Sequence, residues 1–427
     1  MKILWLTNGI IPIVANDLGL KSGVNEGWLS GLISHLKKSD GLQLSLCFPQ
    51  KIRNELISGN AENIDYWGYY QEKSAIEYNE NLKNTFKEIL KQCAPDVVHI
   101  MGTEFPHCYS MVVACKEIGI WDRIVISIQG LVSVYAGHYY AGLPAEVCYG
   151  KTLRDVIKRT SLKHERDNYY RRGEYEKKAI SEVLYVMGRT DWDRACVRII
   201  NPSANYLHGG EILRTCFYDK QWNYENCEKH SVFVSQATYP IKGFHVVLKA
   251  MGIVKRFYPD CSLYVASKVP YQNAMQMPRW RNNKYVNFIC DLVRKYDLEH
   301  IIHYCGALSG DEMAEQFLKS NVFVSASSIE NSPNSLGEAM ILGVPVVTSD
   351  VGGVKNMLLH ESEGYVYPFN EEYMLAEYIM KVFESEERIT PICANARKHA
   401  FITHDPQFIC DELVGNYYNI ANSAKSK

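Results

Sequence analysis

No run of about 18 apolar residues occurs anywhere in the 427-residue chain, so no membrane-spanning helix is expected. The thirteen cysteines are scattered, odd in number and never spaced Cys-x-x-Cys. That excludes a zinc ribbon or a disulfide framework and predicts free thiols in a reducing, cytoplasmic setting. The fingerprint Gly-x-Gly-x-x-Gly is absent, which disfavours a dinucleotide-dependent dehydrogenase. A dominant charge is lacking too: the net charge is −2, so nothing draws the chain to nucleic acid. Met1–Val14 is apolar, but Asn8, Gly9 and Pro12 interrupt it and no small-residue cleavage site follows. It reads as a first strand and not as a signal peptide.

What is there is an ordinary globular composition, 47% apolar and 22% charged, over a length that predicts two or three domains. The most informative stretch runs from Asn321 to Val354. Val322, Phe323 and Val324 begin a buried strand, and Ser325 to Pro333 form a polar loop holding Glu330. A helix follows, with Asn334 or Ser335 as its N-cap and Glu338 in its first turn. Gly343 and Pro345 end it, Val346 and Val347 start another buried strand, and Gly352-Gly353 opens the next loop. This is the βαβ pattern of a parallel sheet. Unpaired amides and the positive end of the helix dipole make such a helix start a phosphate seat. Two carboxylates beside it, Glu330 and Glu338, suit the hydroxyls of a sugar or ribose. Phosphate plus polyol describes a sugar nucleotide.

Glu330-x7-Glu338, with Ala339-Met340, Gly343, Pro345-Val346-Val347 and Gly352-Gly353, resembles the signature of the GT4 glycosyltransferases (glycosyl transferases group 1), and Gly188-Arg189-Thr190-Asp191-Trp192-Asp193 with the aromatic, basic N-terminal half resembles bacterial capsule and exopolysaccharide enzymes among them. The resemblance implies an α/β chain of GT-B architecture: two Rossmann-like parallel-sheet domains facing across a deep cleft. Domains are expected at 1–220 on the acceptor side and at 221–403 on the nucleotide-sugar side. A final helix at 404–427 is expected to pack back on the first domain. The implied reaction is retaining and metal-independent and needs no cofactor. The substrate is a UDP-, GDP- or ADP-sugar, and the acceptor a glycan or lipid-diphosphate-linked molecule. By the resemblance Glu330 lies near the donor sugar, Glu338 holds ribose, and the backbone of Asn334, Ser335 and Leu336 cradles diphosphate.

Weaker echoes extend along the chain. The glycine loop holding Gly23 resembles the one that faces the donor phosphates, and Ser22 or Asn25 is placed to cap the helix after it. Pro95-Asp96-Val97-Val98-His99 resembles a strand common in the N-terminal domains, and His107 near its end is a candidate acceptor or sugar contact. Gln129 stands where many relatives carry His; an amide bonds a hydroxyl but takes no proton. Tyr135 and His138 sit in an aromatic, glycine-rich stretch expected on the acceptor side. Lys242-Gly243 matches the usual Lys-Gly of the diphosphate clamp, while Gln236 replaces the usual Arg. Arg189 at a predicted strand end is the candidate substitute, free to pair instead with an acid nearby. Leu308 belongs to a loop resembling the one that meets the nucleotide base.

Lys151–Ser181 reads as one long helical stretch. Between Lys151 and Lys178 it holds ten Lys and Arg against five acids, interleaved with Tyr169, Tyr170 and Tyr175. Residues 151–178 are thus a candidate peripheral contact with the inner membrane face, weighed against a plain solvated helix. Residues 51–80 show no period and predict loop and edge structure. Two alternatives to transfer remain at this point: a non-catalytic sugar-nucleotide-binding protein, and a sugar-nucleotide epimerase on the same architecture.

Overall fold

A computed structural model describes residues 1–20, 27–39, 41–71, 76–267 and 271–425. Apolar runs such as Ile3–Leu6, Val97–Ile100 and Val322–Val324 are buried on both faces, as strands of a parallel sheet covered by helices must be. Among the described residues they assemble two sheets.

The first sheet contains β1 (Lys2–Leu6), β2 (Gln43–Gln50), β3 (Ile57–Ala61), β4 (Ile64–Tyr70), β5 (Val97–Met101), β6 (Ile124–Ser127), β7 (Tyr185–Gly188) and β8 (Asn205–His208). Its order is β3-β4-β2-β1-β5-β6-β7-β8, parallel throughout except for the β3-β4 hairpin. The second sheet contains β9 (Glu228–Val234), β10 (Ser262–Val265), β11 (Ile302–Tyr304), β12 (Ser320–Ser325), β13 (Val346–Asp350) and β14 (Tyr365–Pro368). Its order is β11-β10-β9-β12-β13-β14, all parallel. In each sheet the chain reverses its winding once, between β1 and β5 and between β9 and β12. Loops leaving the carboxyl ends of such a strand pair splay apart and leave a crevice.

Contacts divide the chain into two units. One holds 1–134, 168–214 and 404–427; the other holds 135–167 and 215–403. The second sheet's unit therefore includes residues 135–167, which a cut at 220 would assign to the first domain. The reason is a set of local bonds: Ser328 Oγ donates to the His138 carbonyl at 3.1 Å, and Thr152 Oγ1 to the Asn282 carbonyl at 2.7 Å. The final helix, Pro406–Lys425, belongs to the first sheet's unit. Its buried Tyr417 hydroxyl accepts from Trp5 Nε1 at 2.8 Å and meets His99 Nδ1 at 2.6 Å, and His99 Nε2 meets Ser127 Oγ at 2.6 Å.

Two expected elements differ. Residues 51–80 hold the expected edge structure in β3, but also a second strand, β4, inside it, whose Tyr66, Trp67 and Tyr69 are buried. Aromatic side chains on successive residues mask the period of two, because both faces are covered. The stretch 151–181 is not one helix but two, Leu153–Lys158 and Leu162–Ser181, broken where Arg159 takes a left-handed φ of 53°.

Candidate active site

The crevice of the second sheet is formed by the segments after β9 and β12. After β9 the chain enters a short 3-10 helix, Pro240–Lys242, and leaves it through Gly243 at φ 65°. A Cβ at Gly243 would collide with the Ala326 carbonyl, so only glycine lets this turn lie on the β12 loop. From the other side Gly352, at φ 52°, lies against the Glu330 carbonyl in the same way. The loop between these two glycines is polar in sequence yet buried: Ser327, Ser328, Glu330 and Asn331 are each under a tenth exposed.

A buried polar loop must find partners within the protein. Ser328 N donates to the Ile241 carbonyl at 2.7 Å, Ser349 Oγ to the Ser327 carbonyl at 2.6 Å, and Gly353 N to the Glu330 carbonyl at 3.1 Å. Asn331 N donates to the Tyr135 hydroxyl at 3.0 Å. At the centre Glu330 Oε1 accepts from both Lys242 Nζ and Ser327 Oγ, each at 2.6 Å. The side chains of this ion pair are 18% and 9% exposed, so solvent screens it little. A fixed cation and a fixed anion thus share one pocket wall. The cation suits phosphate, and the carboxylate suits hydroxyls.

Helix Asn334–Leu342 begins at the end of this loop. Its N-cap is Pro333, with no side-chain cap, so neither Asn334 nor Ser335 has the capping role expected of it. Proline's fixed φ starts the helix, but its ring offers no acceptor for the first amides. The Leu336 amide donates to the Pro333 carbonyl at 2.9 Å and its side chain is in the core, so Leu336 contributes no open amide. The Asn334 side-chain oxygen is buried without a partner. Glu338 is 4% exposed and lies in the second turn, not the first, one turn deeper than the dipole argument assumed.

The remaining expected residues fall in three places. Tyr135 and His138 belong to this same unit and bond the β12 loop through the Tyr135 hydroxyl and the His138 carbonyl. Burial lowers the His138 pKa. Gln236 is exposed after β9, and Leu308 is half-buried after β11. Gln129, Arg189 and His107 lie in the first sheet's unit. There the Arg189 guanidinium donates to Glu211 at 2.6 Å and to Gln129 Oε1 at 3.3 Å, the ion pair being 10% and 2% exposed. Gly23 lies outside the described residues.

Sequence reasoning assigned no role to the acids around the first sheet's crevice. Asn8 after β1 donates its amide nitrogen to Glu104 Oε2 at 2.8 Å. Its carbonyl oxygen then faces His107 Nε2 at 2.9 Å and takes that proton. Burial drops the His107 pKa to about 3, so the ring is neutral and Nδ1 is a buried acceptor without a partner. Ser110, one turn on, also has a buried hydroxyl without a partner. Both residues line a cavity of about 640 Å³ with Tyr70, Gln71, Tyr78 and Arg171. In the same unit Glu176 accepts from Thr103 Oγ1 at 2.8 Å, Val132 N at 3.0 Å and Ser133 N at 2.8 Å. Burial nevertheless pushes the Glu176 pKa up to about 7. Glu176 sits within a charged helical run, where no sequence signal separates a buried acid from a solvated one.

The chain has one Asp-x-Asp spacing, Asp191-Trp192-Asp193. Paired carboxylates of this kind are a candidate cation clamp. Asp193, however, is fully buried and closes a capping box with Thr190, accepting from Arg189 N at 3.0 Å and Thr190 N at 3.3 Å. This pair starts a helix. Among the described residues no group of three or more His, Cys, Asp or Glu converges as a metal site.

Residues 217–399, which hold Lys242, Glu330 and Glu338, match the family model described as Glycosyl transferases group 1. The putative glycosyltransferase YtcC of Bacillus subtilis is 28% identical over 201 residues, 46% of each chain. The amylovoran biosynthesis glycosyltransferase AmsK of Erwinia amylovora is 27% identical over 107 residues, 24% of this chain and 26% of AmsK. The chain thus spans about half, or less, of the length of these relatives. In fold it is similar to sucrose-phosphate synthase from Thermosynechococcus elongatus, with a TM-score of 0.68 at 13% identity over 99% of this chain and all of that one. Anabaena HepE, solved with UDP and glucose, gives 0.65 at 13% identity over 98% of this chain and all of that one. The architecture is GT-B.

Proposed function

We propose that this chain, whose residues 217–399 belong to the Glycosyl transferases group 1, moves a sugar from a nucleotide-diphosphate sugar to a hydroxyl of a glycan or lipid-linked acceptor. The observation that carries the reading is the Lys242–Glu330 pair, buried at the crevice of the second sheet beside a helix start that no side chain caps. Lys242 and the amides of Asn334 and Ser335 hold the diphosphate, whose departure builds negative charge that a preorganised cation stabilises. Glu330 orients the sugar and Glu338 the ribose. Gln236 supplies a neutral contact where a second cation is usual, so Lys242 carries the larger share of phosphate neutralisation.

In this reading the reaction retains anomeric configuration and needs no metal. Gln129 takes no proton, so the leaving phosphate accepts the proton of the attacking hydroxyl. The acceptor occupies the cavity of about 640 Å³ in the first unit, where a hydroxyl donates to His107 Nδ1 and accepts from Ser110 Oγ. Arg189, paired with Glu211, orders the Gln129 loop. All thirteen cysteines are free thiols, which supports work in a reducing cytoplasm, and similarity to AmsK supports a role in polysaccharide assembly.

The test is a product assay with UDP-, GDP- and ADP-sugars, with and without oligosaccharide or lipid-diphosphate acceptors, run beside thermal-shift binding. Transfer with one donor class, abolished by loss of Lys242, is the expected result. Binding without turnover under any acceptor identifies a non-catalytic sugar-nucleotide protein, and an isomerised donor without acceptor identifies an epimerase.

A further inference from the structure

Helix Leu153–Lys158 is built inside out. Its buried residue is a carboxylate, Asp155, 2% exposed. Its apolar residues face solvent: Leu153, Val156 and Ile157 are 54%, 63% and 66% exposed. Their spacing of three and four puts them on one stripe. A soluble helix normally turns such a stripe to the core.

The exposure is not fraying, because this helix is fixed at both ends. Asp155 accepts from Thr152 N at 3.0 Å, Thr160 Oγ1 at 3.0 Å and Lys284 N at 2.9 Å. Thr152 Oγ1 donates to the Asn282 carbonyl at 2.7 Å, and Arg154 Nη1 to the Arg281 carbonyl at 3.4 Å. A polar anchor thus presents an apolar face. The face extends to Tyr149 before the helix, and to Met277 and Trp280 on the segment that Arg154 touches; these are 63%, 46% and 52% exposed. Around it stand the exposed cations Lys151, Arg154, Lys158, Arg159 and Arg281. The acids nearby are exposed Glu146, the buried Asp155, and Asp291, which pairs with Arg279.

The rest of the basic stretch differs. Lys163 pairs with Asp167 at 2.6 Å, Lys177 with Glu174 at 3.2 Å and Arg171 with Glu77 at 3.9 Å. Arg166 lies over the Tyr140 ring and Arg172 over Phe105 and Tyr169. Those cations are knit into the fold. Within the basic stretch, the described residues that combine exposed aliphatic and aromatic groups with surface cations are 149–159, beside 277–281.

Aliphatic side chains enter the acyl boundary, Trp and Tyr favour the headgroup level, and Lys and Arg meet anionic headgroups. We propose that helix Leu153–Lys158, with Tyr149 and Trp280, inserts into the surface of an anionic lipid bilayer and docks this protein there. The inference is independent of the chemistry at Lys242.

Co-sedimentation of the full chain with phosphatidylglycerol-containing vesicles and with pure phosphatidylcholine vesicles tests it. Wild type is expected to bind the anionic vesicles, less at high salt, and to leave the neutral ones. Val156→Asp with Ile157→Asp should lower partitioning at least ~10-fold, and Lys151→Glu with Lys158→Glu similarly. All four positions are exposed, so the thermal midpoint should stay at the wild-type value. Lys177→Glu, on the paired stretch, and Lys242→Ala, at the proposed transfer site, should bind as wild type. Absence of wild-type binding, or unchanged binding by the Asp variant, overturns the proposal. So does a dimer in sedimentation velocity that this variant dissociates, since a second copy would then cover the face.

Discussion

The two crevices occupy corresponding places in their sheets, yet they handle charge in opposite ways. At the second, Lys242 and Glu330 form a buried ion pair inside a polar loop. At the first, burial drives the groups neutral: His107 loses its proton and Glu176 holds one up to about pH 7. An ionic crevice fits a charged ligand and charge development. A neutral one fits hydroxyls, which need donors and acceptors but no counter-ion. The same sheet topology thus supports two kinds of recognition, and local desolvation separates them.

The largest effect should come from the ionic side. Lys242→Ala is expected to lower the transfer rate by about 10²–10³, the usual cost of losing one preorganised charge contact at a leaving group. A near-normal rate would remove Lys242 from the phosphate clamp. Gly352→Ala forces a Cβ onto the Glu330 carbonyl and a side chain into positive φ, so it should destabilise the second unit by about 3 kcal/mol, read from chemical denaturation. An unchanged midpoint would mean that the loop moves aside freely.

The neutral side is read by pH. Burial holds the pKa of His99 and His107 near 3, below the value of an unfolded histidine. Below about pH 6.5 the unfolded chain takes up protons that the folded chain refuses, so stability is lost as pH falls towards 3. Each histidine contributes a slope of up to about 1.4 kcal/mol per pH unit. Glu176 works the other way: its raised pKa favours the folded state at low pH, and that contribution fades between about pH 4.5 and 7. Glu176→Gln should therefore steepen the acid loss of stability, and a curve parallel to wild type would show that Glu176 has the same pKa folded and unfolded. The smallest effect is expected from Ser110→Ala, which should raise the acceptor KM by less than about 10-fold with kcat little changed. An unaltered acceptor KM would place the acceptor elsewhere.

The ionic crevice was legible in the sequence because it is written in backbone-determining residues. Gly243, Pro333, Gly343 and Gly352 fix turns, and Lys242 and Glu330 stand beside them, so order along the chain reports place in the fold. The neutral crevice was legible only in part. His107 stood out at a strand end, but Asn8, Glu104 and Glu176 acquire their character from burial, which spacing does not encode. The same limit explains β4, whose apolar residues do not alternate. It also explains Leu153–Lys158, where buried and exposed faces are exchanged. The assignment of 135–167 to the second unit depends on side-chain bonds to Ser328, Asn282 and Lys284, far away in sequence.

Calorimetric titration of nucleoside diphosphates and their sugars into wild type, Lys242→Ala and Glu338→Gln addresses the ionic crevice most directly. The account predicts that one nucleotide class binds wild type, and that each substitution weakens it at least ~10-fold, the loss of one charge-assisted contact. Undiminished nucleotide affinity in both variants would contradict it.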